Sequence, residues 1–153
     1  GFFLGKNLTP RPEPLAQAVR LPPFSMPTSS GGLFHSDTIS DRVIIINFWA
    51  TWCAPCRREI PLLIATQAIH KGSITVIGIA IDELEAVQIF EDEIGLDYTS
   101  LVGKTPAFVL LEKFGNSGQL PFTLVFDKRR NLRFKKTGEI KARDIDNWVN
   151  ALL

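Results

Sequence analysis

The chain has 153 residues, the size of one compact domain. Hydrophobic residues make up 45% and charged residues 22%, and eleven Phe and three Trp supply bulk for a substantial core. The formal net charge of +1 argues against a dedicated nucleic-acid or anionic-membrane surface. No run of about 18 apolar residues is present to span a membrane.

Residues 1 to about 32 are rich in Pro, Ser and Gly. Pro10, Pro12, Pro14, Pro22, Pro23 and Pro27 forbid a long helix there. Residues 1–20 read as an N-terminal arm or tether, and residues 21–153 as the folded domain, opening with short extended pieces over 21–34. The first residues, Gly1-Phe2-Phe3-Leu4-Gly5, begin without Met. They fit equally the edge of a removed signal or anchor and an artificial boundary.

Val43-Ile44-Ile45-Ile46-Asn47-Phe48 is a continuous β-branched run, which suits a strand covered on both faces. After the cysteines a helical pattern begins, with Ile60, Leu63, Ile64 and Ala68 on one face and Pro61 expected to kink it. Ser73 to Ile81 is a second buried strand. A helix between two such strands implies a β-α-β unit with parallel strands. Glu83 to Ile94 is amphipathic, with Leu84, Val87, Phe90 and Ile94 on one side. Tyr98 to Val102 reads as a short edge strand.

Thr105 to Phe114 reads as a further helix, N-capped by Thr105, with Pro106 in its first turn and Gly115 ending it. Phe122 to Phe126 and Leu132 to Lys136 form an antiparallel hairpin across a polar turn. The basic run Lys128-Arg129-Arg130 within that turn reads as solvated rather than as a binding patch. Ile145, Trp148, Val149 and Leu152 mark the closing helix. The order β-α-β-α-β-α-β-β-α describes an α/β fold with a mixed central sheet flanked by helices.

Two cysteines are present, Cys53 and Cys56, within Cys53-Ala54-Pro55-Cys56. A bridge so short closes almost no loop and adds little by chain entropy, so redox chemistry explains the pair better than stapling. Zinc needs about four ligands, and neither His35 nor His70 stands at finger spacing, so no metal is expected. Cys53 falls where a strand ends and a helix begins. The unpaired N–H groups and partial positive charge of a helix start favour a thiolate, so the Cys53 thiol is expected below its free value of about 8.5. Cys56, one turn later, is the expected resolving thiol. Ala54 leaves the Cys53 sulfur accessible, and Pro55 wastes no N–H at the helix start.

Asn47-Phe48-Trp49-Ala50-Thr51-Trp52-Cys53-Ala54-Pro55-Cys56-Arg57-Arg58-Glu59-Ile60-Pro61 resembles the thioredoxin superfamily, in its TlpA/ResA/CcmG-like (DsbE-like) branch, which typically reads NFWATWCxPCRxExP. Gln119-Leu120-Pro121-Phe122-Thr123 resembles that family's cis-proline loop, which packs beside the Cys pair and pairs with the bound partner chain. The resemblance implies a thioredoxin fold with a helix and strand inserted between the β-α-β half and the β-β-α half. It implies a thiol:disulfide oxidoreductase that uses its own Cys53–Cys56 pair and no further cofactor. It also implies a bacterial periplasmic or cell-envelope setting, with the N-terminus as candidate tether, and a role in electron transport and cytochrome c biogenesis. The expected partners are protein thiols and disulfides and a membrane thiol-electron transporter of the DsbD/CcdA kind. No nucleic acid is expected, and the expected state is a monomer.

Two departures from the family pattern qualify this. Plain thioredoxins carry a buried Asp where this chain has Asn47, which cannot shuttle protons. The resemblance points to Glu83 for that task, and Glu83 also fits an exposed first-turn residue. Glu59 either tunes the Cys pair or favours the early helix. The CcmG type usually has an acidic residue after the cis-proline, and Phe122 in that place weakens the case for a dedicated apocytochrome reductant. Trp52, Leu120, Pro121 and Phe122 suggest a groove for an extended peptide, unless these side chains are simply core.

The leading expectation is an extracytoplasmic reductase of protein disulfides. The alternatives are a net oxidant, disfavoured because the motif lacks the His of CPHC sites, and a non-catalytic redox-sensing or binding module. A peroxidase of the peroxiredoxin type fits poorly, because such sites lack this CxxC arrangement.

Overall fold

The computed structural model describes residues 19–153. The long β-branched run forms β3 (Val43–Trp49), with all seven residues buried. Such a strand can only lie at the middle of a covered sheet. It does so in the order β5-β4-β3-β6-β7, with β4 at Ile74–Ala80, β5 at Thr99–Val102, β6 at Phe122–Phe126 and β7 at Leu132–Thr137. β3, β4 and β5 run parallel, while β6 is antiparallel to both β3 and β7. Among the described residues no helix is long and apolar enough to cross a membrane.

Alternate residues of β3 point into two separate cores. Val43, Ile45 and Trp49 pack with Ile60 and Leu63 of α1 (Ala54–Ile69), Val87 of α2 (Leu84–Ile94), and Ile145 and Trp148 of α4 (Ala142–Leu152). Ile44, Ile46 and Phe48 pack with Ala107, Leu110 and Leu111 of α3 (Lys104–Lys113) and with Met26. Met26 belongs to a small hairpin of β1 (Ser25–Pro27) and β2 (Leu33–His35). The extended pieces expected at the start of the domain are this hairpin. The proposed arm lies outside the described residues except for Val19 and Arg20. Val19 accepts a bond from the Leu132 N–H at 2.7 Å, and Arg20 bridges to Asn131.

Three helical details differ from expectation. α3 starts at Lys104 with Gly103 as N-cap, which places Pro106 third in the helix. Proline is tolerated there because the first four helix N–H groups have no intrahelical partner. In α2, Leu84 and Ile94 are exposed and only Val87 is fully buried, because a helix at the sheet margin finds core on a narrow stripe. In α1 (which contains Pro61) the inward face also takes Glu59 and Thr66, while Ala68 faces out.

β5 pairs only with Ile77 to Ala80, leaving the first half of β4 without a strand on the side away from β3. The Gln67 side chain fills that place. Its amide donates to the Ile74 carbonyl at 2.8 Å and accepts from the Val76 N–H at 2.7 Å.

Gly78 in β4 lies under two rings. A Cβ there would stand 3.2 Å from Cε1 of Tyr98 and 3.3 Å from Nε1 of Trp49, both buried. Replacing a strand glycine by alanine gains roughly 0.5–1 kcal/mol of backbone entropy, whereas overpacking a core costs about 1–3 kcal/mol. Both rings are buried among packed side chains, so overpacking is expected to outweigh the entropy gain. Gly78→Ala is expected to lower the unfolding free energy in a urea titration, and a variant as stable as the parent would refute this packing account.

Candidate active site

β3 ends at Trp49, and the chain turns through Ala50, Thr51 and Trp52 into α1. The turn is closed by the Cys53 N–H donating to the Ala50 carbonyl at 3.2 Å. Cys53 is the N-cap of α1, with extended backbone, and the Cys56 N–H donates to its sulfur at 3.3 Å. The helix start thus directs an amide at that sulfur, as the sequence implies. Cys53 and Cys56 are joined as a disulfide with their Cα atoms 5.3 Å apart. Cys53 keeps 7% of its surface exposed and Cys56 none. Trp52 stands beside them 67% exposed, Ala54 is exposed and Pro55 is half-buried.

The turn is anchored from β4. The buried Asp82 carboxylate accepts from the Thr51 N–H at 2.8 Å, from the Thr51 hydroxyl at 2.6 Å and from the Glu83 N–H at 2.7 Å. The Arg57 guanidinium then donates to the Thr51 carbonyl at 2.6 Å. Sequence reasoning missed Asp82 and chose its neighbour. Glu83 is the N-cap of α2, and its carboxylate pairs with Lys104 at the surface, 2.9 Å away. No hydrogen bond joins Glu83 to the Cys turn among the described residues. The available signal was positional: Asp82 is the first acidic residue after a buried strand, at the carboxyl edge where sites form.

Glu59 is brought to the site. It lies three residues beyond Cys56, on the same buried face of α1, and is 1% exposed. It accepts from the Asn47 amide at 2.6 Å and from the Ile140 N–H at 2.9 Å. The same Asn47 nitrogen donates to the Thr123 hydroxyl at 3.1 Å, so one polar chain crosses α1, β3 and β6 inside the core. Desolvation outweighs the two donors and pushes the Glu59 carboxyl up from 4.5 to about 7. The i, i+3 spacing from Cys56 was the signal that could have favoured Glu59 over Glu83.

The Leu120–Pro121 bond is cis. The loop before it is stapled by buried Asn116, whose side-chain oxygen accepts from Gly118 N–H at 2.7 Å and Gln119 N–H at 2.8 Å. Phe48 pairs in register with Phe122, so Pro121 sits at the sheet edge where β3 releases the Cys turn. Leu120 is half-exposed. Phe122 is buried against Phe48, with ring centroids 5.9 Å apart, and so belongs to the core rather than to a surface groove.

The sequence matches the AhpC/TSA family over residues 18–135. The chain belongs to that family. Among curated relatives, it is 25% identical to the thiol-disulfide oxidoreductase ResA of Geobacillus kaustophilus, over 99% of this chain and 87% of that protein. It is 29% identical to the thiol:disulfide interchange protein HelX of Rhodobacter capsulatus, over 100% of this chain and 86% of that protein. Among solved structures, a thioredoxin-family thiol:disulfide interchange protein from Chlorobium tepidum superposes with a TM-score of 0.81 at 27% identity, covering 88% of this chain and 96% of the other. The mixed five-stranded sheet with its four helices is the thioredoxin fold.

The raised Glu59 pKa has a consequence for stability. Between about pH 4.5 and 7 the folded chain holds a proton on Glu59 that the unfolded chain has released. The unfolded state therefore binds fewer protons, and this residue's contribution to stability falls as pH rises through that window. The difference is on the order of 3 kcal/mol. Denaturant titrations across the window should show Glu59→Gln losing less stability than the parent as pH rises. Parallel slopes for the two proteins would refute the buried-acid reading.

Proposed function

We propose that this family member performs thiol–disulfide exchange on protein substrates as an extracytoplasmic reductase. The observation that carries the reading is the Cys53–Cys56 pair at the α1 N-terminus, with its outer sulfur on a helix amide and a buried carboxyl titrating near neutrality one turn beyond the inner one. The pair is itself the electron carrier, so the reaction calls for no added cofactor.

In the reduced protein the Cys53 thiolate attacks a partner disulfide. One partner sulfur leaves as thiolate, and the other is joined to Cys53. Cys56 then gives up its proton and attacks Cys53. This releases the second partner thiolate and forms the internal disulfide, so two electrons pass to the partner. Glu59, with a pKa of about 7, is matched to accept the Cys56 proton. Asn47 orients it, and Asp82 holds the turn that presents Cys53. Trp52, Ala54, Pro55 and Leu120 form the surface over which the partner chain lies, and Pro121, itself buried, holds the loop beneath it.

The names of the relatives support a periplasmic or cell-envelope setting, and a membrane thiol-electron transporter would return the pair to the dithiol. Phe122, buried where the CcmG type is acidic, favours general protein disulfides over a dedicated apocytochrome.

Cys56→Ser should trap a mixed disulfide with reduced yield of free product, while Cys53→Ser should reduce no insulin disulfides at all. Trapping by Cys53→Ser instead would reverse the two roles. The reduction potential of the pair should lie well below the value of about −120 mV typical of a strong oxidant, and a measurement near that value would overturn the reductant direction.

A further inference from the structure

The end of the sheet remote from the Cys pair carries charge that the redox chemistry does not use. Arg20, Arg42, Lys128, Arg129 and Arg130, drawn from three separate stretches of chain, line one concavity of about 240 Å³, with Asp41 as its one acidic lining residue. None of the five cations lies within 4 Å of a carboxylate among the described residues. Arg42 and Arg130 are instead fixed by backbone. Arg42 donates to the Lys71 carbonyl at 3.1 Å, and Arg130 to the carbonyls of Ile39 at 3.0 Å and Ser36 at 2.9 Å. Those bonds leave both positive charges without a counter-charge. Asp127 is already committed, since it accepts from two N–H groups of the turn and pairs with Arg133 at 3.7 Å. A whole-chain charge of +1 therefore conceals a basic pole.

We infer that this pole is a docking surface for anionic phospholipid headgroups at a bilayer. Two observations select lipid over another anion. The chain enters the described domain here, through the Val19 and Arg20 contacts to Leu132 and Asn131, so the preceding residues join the domain at this pole. That segment carries Phe2, Phe3, Leu4, Lys6 and Arg11 against the single acid Glu13, a mix of apolar and basic residues that suits an anionic membrane surface. β3 begins at this pole and ends at the Cys turn. Its seven residues, at about 3.3 Å each, set the redox pair roughly 20 Å from the lipid and facing away from it.

The test uses the full chain in co-sedimentation with phosphatidylcholine vesicles, with and without phosphatidylglycerol, at low and physiological ionic strength. Binding should require phosphatidylglycerol and weaken with salt. Arg20→Gln, Lys128→Gln and Arg129→Gln together spare the two structural arginines. A near-surface cation adds roughly 1 kcal/mol, so the triple variant should bind weaker by on the order of a hundredfold while keeping its thermal transition and its insulin reduction. Lys128→Arg should bind as the parent does. Equal binding to pure phosphatidylcholine, unchanged binding by the triple variant, or binding of soluble polyglutamate or inorganic phosphate in place of vesicles would overturn the inference. Insulin reduction, read separately, decides the redox proposal whatever the vesicles show.

Discussion

Burial of β3 on both faces is the constraint from which the site follows. A strand with no solvent-facing side must be flanked by neighbours and roofed by helices, so its exit is confined to the carboxyl edge of the sheet. The Cys turn occupies that exit. Three separate restraints then act on it: the Ala50 carbonyl, the Asp82 carboxylate and the first amides of α1. The outer sulfur is thus positioned by a strand buried along its whole length, which is how a turn acquires a fixed geometry.

Asn47 and Glu59 show how a buried polar pair can stand in a core of isoleucine and phenylalanine. Asn47 bonds in two directions, to Glu59 and to Thr123, and Glu59 gains a second donor from Ile140. These bonds satisfy the carboxyl oxygens without supplying a positive charge. The acid is therefore held in place but its ionised form is not stabilised, and that combination moves its titration toward neutrality. A cation within bonding distance would have lowered its pKa and left its carboxylate too weak a base to take a thiol proton efficiently near pH 7.

Local patterns were the legible part of the sequence. The β-branched runs, the Cys motif, the Leu120–Pro121 loop and the order of elements all announce themselves within a dozen residues. Choices between neighbours were harder. Asp82 and Glu83 are adjacent carboxylates, and only the packing of β4 against the Cys turn decides that Asp82 points in and Glu83 out. For Glu59 the sequence leaves two readings open, tuning of the Cys pair or a helix-favouring acid, because its burial depends on Asn47 and Ile140, distant in sequence. The basic pole was illegible for the same reason. Lys128 to Arg130 alone reads as a solvated turn, and only the fold brings Arg20 and Arg42 beside it.

The Gln67 amide bears on how this sheet meets other chains. Any half-covered strand offers a ladder of amides and carbonyls to a stranger's backbone. Here one side chain imitates the missing neighbour along the open half of β4. At the opposite margin β7 carries the exposed Arg133 and Lys135, charged side chains of the kind that blunt an edge strand. Flank-to-flank fusion of sheets is thus discouraged at both places. Encounters with other proteins are steered instead to the tips of the strands, where the sulfur waits.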